Sequence, residues 1–293
     1  MYSSDWHYQA RPQLITDYFP ADGLDQGNII QSAGDGVRGT RRSKRLQEKS
    51  AEPRSSLPPA ESRQQRRTQT PIQFLLQRPL PAPFYLRNAN HEPKRMDSPR
   101  PLLVVLDLNG TLLCRKGRGS NFAARPRVNE FLEYLLSRHI VMVWSSARPV
   151  NVDNMCKKLF SREQMDQLVG VWARDKLNLT PEQYNERVQV YKQLSWIWSD
   201  PTINGKRPWS QADTVLIDDS AEKAASEPHN VIEIEEFENR KDQLETDVLG
   251  QVIQYLDELS HQQDVSAYMR AHPFKWVPET KDGVDGKADT PMQ

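Results

Sequence analysis

From Pro101 onward, apolar residues recur along the chain in two alternating patterns. Leu102-Leu103-Val104-Val105-Leu106 is an unbroken apolar run that stops at Asp107, as a strand buried on both faces does. Ile140-Val141-Met142-Val143-Trp144, ending in Ser145-Ser146-Ala147, predicts a second such strand. Leu168-Val169-Gly170-Val171-Trp172 predicts a third, and Thr214-Val215-Leu216-Ile217, ending in Asp218-Asp219, a fourth. Val231-Ile232-Glu233-Ile234 alternates and predicts a short edge strand. Helical spacing fills the intervals. Behind Pro126, Val128, Phe131, Leu132 and Leu135 fall at i, i+3, i+4 and i+7. A further helix is predicted near Val152 to Leu159, and residues 178–191 predict one leading to Lys192. Leu244, Val248, Val252, Leu256 and Leu259 predict one long final helix. Strands alternating with helices predict an α/β fold, a Rossmann-like parallel sheet flanked by helices. No segment inside it is large enough for a separate cap.

Before Pro101 the pattern fails. That third is crowded with Pro, Ser, Gln and Arg and has no sustained apolar period, so it cannot bury enough surface to offset chain entropy. Residues 1–98 are therefore predicted to be a disordered extension carrying short motifs, 99–261 the folded domain, and 262–293 a loose tail. Arg78-Pro79-Leu80-Pro81-Ala82-Pro83 predicts an extended polyproline spacer or an SH3-type ligand. Phe74, Leu75, Leu76, Phe84 and Tyr85 are more apolar than their surroundings; whether they pack on the domain as an arm is not decided by sequence.

Charge and cysteine content narrow the class. Lys and Arg number 39, Asp and Glu also 39, so no net field points to nucleic acid or membrane. Cys114 and Cys156 do not make a disulfide scaffold, which fits a reducing compartment. No apolar run approaches the length of a membrane helix. The segment Met1 to Trp6 has neither a cationic stretch nor an apolar core, so a secretory signal is not expected. Asp5 also argues against a mitochondrial presequence. A soluble intracellular protein is the expectation.

Three predicted strand ends deliver polar groups to one rim of the sheet: Asp107, Ser145 and the pair Asp218-Asp219. Open α/β sheets bind ligands at that edge. Any one of these residues alone reads equally well as a strand end or helix cap. Four of them with Lys192 between make coincidence a poor account. Asp107-Leu108-Asn109-Gly110-Thr111, Ser145, Lys192 and Asp218-Asp219 resemble the four motifs of the haloacid dehalogenase superfamily. The resemblance is closest to the branch holding carboxyl-terminal-domain phosphatases of RNA polymerase, small nuclear-envelope phosphatases and mitochondrial Tim50-like receptors. Arg125-Pro126, Trp144 to Pro149, Trp172 to Leu177, Asp218-Asp219-Ser220 with Lys223-Ala224, and Pro228 to Ile232 match that branch.

The resemblance implies a Mg²⁺-dependent phosphoprotein phosphatase. Asp107 would be the nucleophile that takes the phosphoryl group, splitting one hard displacement into two easier ones. Mg²⁺ would be held by the Asp107 carboxylate, the backbone carbonyl of Asn109, and Asp218 or Asp219 with waters. Ser145 would donate a hydrogen bond to the phosphoryl oxygens and Lys192 would neutralise their charge. Thr111, Ser146 and Arg148 would line the substrate. Asn109 is the departure, because family phosphatases normally carry there an Asp that protonates the leaving oxygen and later activates water. Two outcomes compete: a slow or specialised phosphatase, or a pseudophosphatase that keeps the site for phosphopeptide binding or scaffolding. A translocase role is disfavoured by the absence of an anchor or presequence pattern. An uncapped site would admit a side chain of a protein substrate in preference to a small metabolite.

Two motifs precede the domain. Ile15, Tyr18 and Phe19 in Pro12-Gln13-Leu14-Ile15-Thr16-Asp17-Tyr18-Phe19 resemble the peptide that docks on the replication sliding clamp, with Pro12 where that motif has Gln. Arg38, Arg41, Arg42, Lys44 and Arg45 read as a nuclear localisation signal, a weak nucleic-acid contact, or a solvated charge run. Together they point to a nuclear protein, with the cytoplasm as alternative.

Overall fold

The computed structural model describes residues 76–116, 121–205 and 207–277. The clamp-like peptide and the basic cluster lie outside these residues. The described chain begins with α1 (Pro83–Ala89), β1 (Leu103–Leu106), β2 (Leu113–Arg115), β3 (Phe122–Ala124) and α2 (Val128–Arg138). Next come β4 (Ile140–Trp144), α3 (Pro149–Leu159), α4 (Arg162–Met165) and β5 (Gly170–Trp172). Then α5 (Pro181–Asn185), α6 (Leu194–Ser199) and α7 (Pro201–Asn204) lead to β6 (Thr214–Asp218) and β7 (Val231–Glu233). The helices α8 (Lys241–Leu244), α9 (Val248–Ser260) and α10 (Val265–Ala271) follow.

Five strands form one parallel sheet in the order β5-β4-β1-β6-β7. Strand β1 is central and every residue of it is fully buried. Its side chains alternate between two layers, as a strand requires. Val104 and Leu106 pack with Phe131 and Leu132 of α2, Val152 and Met155 of α3, and Val252 and Leu256 of α9. Leu103 and Val105 face Leu177, Val190, Leu194, Ile197, Ile203 and Trp209. The long β5–β6 connection is thus the second layer of the sheet, which a parallel sheet needs on both faces.

The structure departs from the sequence-based expectation in five places. Residues 178–191 are not one helix. Thr180 caps α5 through a reciprocal bond pair with Gln183. Arg174 then ends it, donating to the carbonyl oxygens of Gln183 (2.8 Å), Tyr184 (2.9 Å) and Glu186 (2.7 Å). With those acceptors taken, the chain runs on without helix, and Val190 and Tyr191 are buried. The last long helix is also split, because Asp247 turns its carboxylate onto Gly250 N (2.9 Å) and starts α9 afresh. The antiparallel pair β2–β3 was not anticipated; it packs Cys114 and Ala123 against Phe237.

The fourth departure is at the amino-terminal side. Residues 76–98, assigned to the extension, include α1 and a set of anchors. The buried Tyr85 hydroxyl donates to Asn230 Oδ1 (2.9 Å) and accepts from His229 N (2.8 Å). Arg78 forms an ion pair with Glu222 at 2.8 Å. The arm therefore belongs to the domain. Fifth, the stretch after 261 is not all tail: Val265 and Met269 of α10 enter the main core, and Arg270 donates to the Ala89 carbonyl at 2.7 Å. Among the described residues, no helix is long and apolar enough to cross a membrane.

One buried titratable group pins the start of the central strand. His139 Nδ1 accepts a hydrogen bond from Leu102 N (3.3 Å), so its neutral ring carries the proton on Nε2, facing the Tyr134 hydroxyl at 3.3 Å. Tyr134 in turn donates to Asp257 at 2.6 Å. Burial holds the His139 pKa down to about 4; the Asp257 charge opposes this and Arg138 reinforces it. In the unfolded chain the ring titrates near pH 6.5. Between those values only the unfolded state gains the proton, so stability present above about pH 6.5 is lost progressively as pH falls towards about 4, by about 3 kcal/mol in all. Urea unfolding at about pH 7 and about pH 5 is expected to show this slope in wild type and a shallower one in His139→Gln. Equal slopes in the two proteins contradict the assignment.

Candidate active site

The site is assembled where β1, β4 and β6 end. Leu106 pairs with both Val143 and Ile217, so Asp107, Ser145 and Asp218 leave adjacent strands at one edge. Asp107 N donates to the Ile217 carbonyl (3.0 Å), fixing the first of these on the sheet itself. Asp107, Ser145 and Asp218 are all buried, at 1%, 1% and 0% exposure.

Lys192 binds the two strands' carboxylates together. Its ammonium, on a side chain with no exposure, lies 2.8 Å from Asp107 Oδ1 and 2.6 Å from Asp218 Oδ2. The backbone around it is tied down as well. Lys192 N donates to the Lys223 carbonyl (2.6 Å). Glu227 accepts from Leu194 N (2.9 Å), one of the orphan donors at the start of α6. Burial raises the Glu227 pKa, and its hydrogen bonds pull in the other direction.

The loop after Asp107 is shaped for close approach. Gly110 has φ +90°, and a Cβ there would sit 2.5 Å from Asp219 Oδ2. No other residue type brings the loop this near the β6 end without strain. Arg125 clamps the same loop from behind. Its Nε donates to the Thr111 carbonyl (2.6 Å) and its Nη2 to those of Gly110 (3.3 Å) and Glu235 (2.6 Å), with the guanidinium over Phe237. Burial lowers the Arg125 pKa to about 10, so it remains charged at neutral pH. The buried Thr111 hydroxyl reaches Asp107 Oδ2 at 3.4 Å.

Asp107, Thr111, Lys192, Asp218 and Asp219 are therefore brought together. The other anticipated residues stand around them. Ser145 Oγ accepts from Ala147 N at 3.4 Å, and Ser146 is half-buried. Arg148 is exposed at the start of α3, its guanidinium over the Tyr184 ring and bonded to Asn185. Asn109 is exposed on the loop two residues beyond Asp107.

Three residues with direct parts in this architecture had no role in the sequence reading: Arg125, Glu227 and Lys223. Arg125-Pro126 and Lys223 were visible only as matches to the branch, and nothing flagged Glu227. Lys223 is the most consequential. Its ammonium lies 2.7 Å from Asp218 Oδ1, 2.7 Å from Asp219 Oδ1 and 3.8 Å from Asp107 Oδ2. Burial alone would lower its pKa, but the three carboxylates outweigh that and raise it. Three carboxylates face two ammonium groups, leaving one negative charge to be met.

Asp107, Asp218 and Asp219 can each turn a carboxylate oxygen to within 4.8 Å of the others. A cluster of hard oxygen donors with net negative charge fits a hard divalent cation. Chemically, the rim offers a buried carboxylate, a fixed ammonium beside it, and oxygen donors for a cation.

The family model for NLI interacting factor-like phosphatases matches residues 102–266. The chain belongs to this family, in the haloacid dehalogenase-like, FCP1-related branch that Asp107 to Thr111 and the other strand ends resemble. An uncharacterized FCP1 homology domain-containing protein of Schizosaccharomyces pombe is 36% identical over 214 residues, which cover 67% of this chain and 86% of that protein. Two solved structures are also similar. One is the fission yeast RNA polymerase II CTD phosphatase Fcp1, an arginine-to-alanine variant bound to beryllium fluoride, at 12% identity and TM-score 0.35 over 58% of this chain and 50% of that one. The other is Fcp1, an essential RNA polymerase II CTD phosphatase, at 14% identity and TM-score 0.33 over 60% and 51%. The chain thus spans about half the length of each of these structures.

Proposed function

We propose that this protein hydrolyses phosphate monoesters on protein side chains by way of a phosphoryl group carried on Asp107. The observation that supports this most is the buried Asp107 carboxylate, held against Lys192 at the end of the central strand and grouped with Asp218 and Asp219. In the first step an Asp107 oxygen attacks phosphorus and the ester P–O bond breaks, its electron pair leaving with the substrate oxygen. In the second, water attacks the aspartyl phosphate and the bond from phosphorus to the Asp107 oxygen breaks, releasing inorganic phosphate and restoring the carboxylate. Lys192 faces the phosphoryl oxygens and offsets their charge, and Ser145 donates to them. Mg²⁺, which the Asp107 carboxylate, the Asn109 carbonyl and Asp218 or Asp219 would hold, would supply further positive charge against the phosphoryl oxygens.

Asn109 has no titratable group to give a proton to the leaving oxygen or to accept one from water. General acid–base help is worth about 10²- to 10⁴-fold. The site should therefore favour leaving groups that need no proton. The second reading, a phosphopeptide-binding protein without turnover, is favoured by that same residue. The apolar side chains of the β5–β6 connection share the core of the sheet in place of forming a separate cap core, which supports a protein substrate. In a panel of phosphopeptides, an aryl phosphate and free sugar phosphates with Mg²⁺, the first two are expected to be turned over and the sugars not. Preference for sugar phosphates overturns the substrate class; tight phosphopeptide binding with no turnover of any compound leaves the second reading.

A further inference from the structure

Two lysines share the three carboxylates, and they do so unequally. Lys192 takes Asp107 Oδ1 and Asp218 Oδ2, and its side chain has no exposure. Lys223 takes the opposite oxygens, Asp218 Oδ1 and Asp219 Oδ1, and stands 3.8 Å from Asp107 Oδ2. Its side chain retains 15% exposure and is carried on the short 3₁₀ turn Ala221–Ala224 at the rim. One lysine is therefore built in, and the other has a way out.

The Lys223 ammonium thus lies within 3.8 Å of an oxygen of each of the three carboxylates that group as the candidate cation site, while the other Asp219 oxygen, Oδ2, turns to the Gly110 loop. Mg²⁺ binds oxygen at about 2.0–2.1 Å and insists on near-octahedral surroundings. An ammonium 2.7 Å from two of the same carboxylates would then be in contact with a divalent cation of like sign. A divalent ion held by the same three carboxylates would have to share their centre with this ammonium, whereas Lys192 approaches two of them from the opposite oxygens. Coulomb repulsion between like charges in contact opposes their coexistence even at an effective dielectric constant of about 20.

We propose that Lys223 is an intramolecular cation that fills the divalent-ion position, so that metal binding is an exchange in which the Lys223 ammonium withdraws to the rim. The inference rests on the metal-site reading above and adds to it. It makes metal affinity in this protein a property of the lysine as much as of the acids. Divalent ions bind more weakly than the three carboxylates alone would dictate, and the metal-free site is kept folded by its own ammonium in place of a lost ion.

The test uses the full chain and Mn²⁺, an oxygen-seeking divalent ion whose free form is read directly by electron paramagnetic resonance. Lys223→Met is expected to bind Mn²⁺ at least tenfold more tightly than wild type, and Asp219→Asn at least tenfold more weakly. In wild type, acetylation of Lys223 followed by mass spectrometry is expected to rise several-fold once Mn²⁺ saturates the site. If wild type binds Mn²⁺ while Lys223→Met binds it no better, and Lys223 acetylation does not change, the exchange is wrong and the metal site stands. If neither wild type nor Lys223→Met binds Mn²⁺, the metal-site reading itself fails. Should Lys223→Met not fold, the acetylation result on wild type decides alone.

Discussion

Asp107→Asn is expected to remove phosphatase activity, by at least about 10³-fold in kcat, while leaving the protein folded. The substitution keeps the shape of a side chain that is 1% exposed and takes away the oxygen charge that attacks phosphorus in the proposed reaction. Breaking a buried ion pair commonly costs about 3–5 kcal/mol, because a charge is left without a partner. Here it is not. Lys192 keeps Asp218 at 2.6 Å, and Lys223 keeps Asp218 and Asp219. With one carboxylate gone, two acids face two ammonium groups and the site is neutral. Thermal unfolding should therefore shift by far less than a typical buried charge deletion, and turnover should vanish. Activity near the wild-type level in this variant would show that another group attacks phosphorus.

Asn109→Asp is expected to act in the opposite sense, raising turnover by about 10²- to 10⁴-fold on phosphoserine peptides and less on aryl phosphates. The difference between substrates follows from the leaving oxygen. An alkoxide leaves poorly without a proton, whereas a phenolate, with a pKa of about 10, leaves more readily. Residue 109 is exposed, two positions beyond Asp107, on a loop held by Arg125 and by the φ of Gly110. A carboxylic acid there is added to a loop already fixed in place. Equal rates for wild type and Asn109→Asp on both substrates would mean that residue 109 has no part in proton transfer.

The sheet was legible because a doubly buried parallel strand leaves an unambiguous trace: Leu102 to Leu106, Ile140 to Trp144 and Thr214 to Ile217 are apolar without alternation. Strand ends are then fixed by the polar residue that follows, which is why Asp107, Ser145 and Asp218 could be located without coordinates. What failed was short or held by distant partners. The strands of the β2–β3 pair have three residues each, too few for any period to show. The arm around α1 is ordered by Tyr85 reaching Asn230, 145 positions away. The segment before Lys192 has helical composition, but Arg174 claims the carbonyls that a longer α5 would need. Lys223, visible in the sequence only as a match to the family branch, is bent back onto Asp218 and Asp219 by the 3₁₀ turn. Long-range polar capture leaves no local pattern.

The claim that matters most is that phosphorus bonds to Asp107, and rapid quenching followed by peptide mass spectrometry tests it without intermediaries. Mixed with p-nitrophenyl phosphate and Mg²⁺, wild type should accumulate a phosphoryl group on Asp107 approaching one per chain, because Asn109 permits phenolate departure but does not activate the water that follows. Asn109→Asp should shorten the life of that adduct. Sustained turnover with Asp107 unmodified, or with the phosphoryl group on a different residue, would contradict the account.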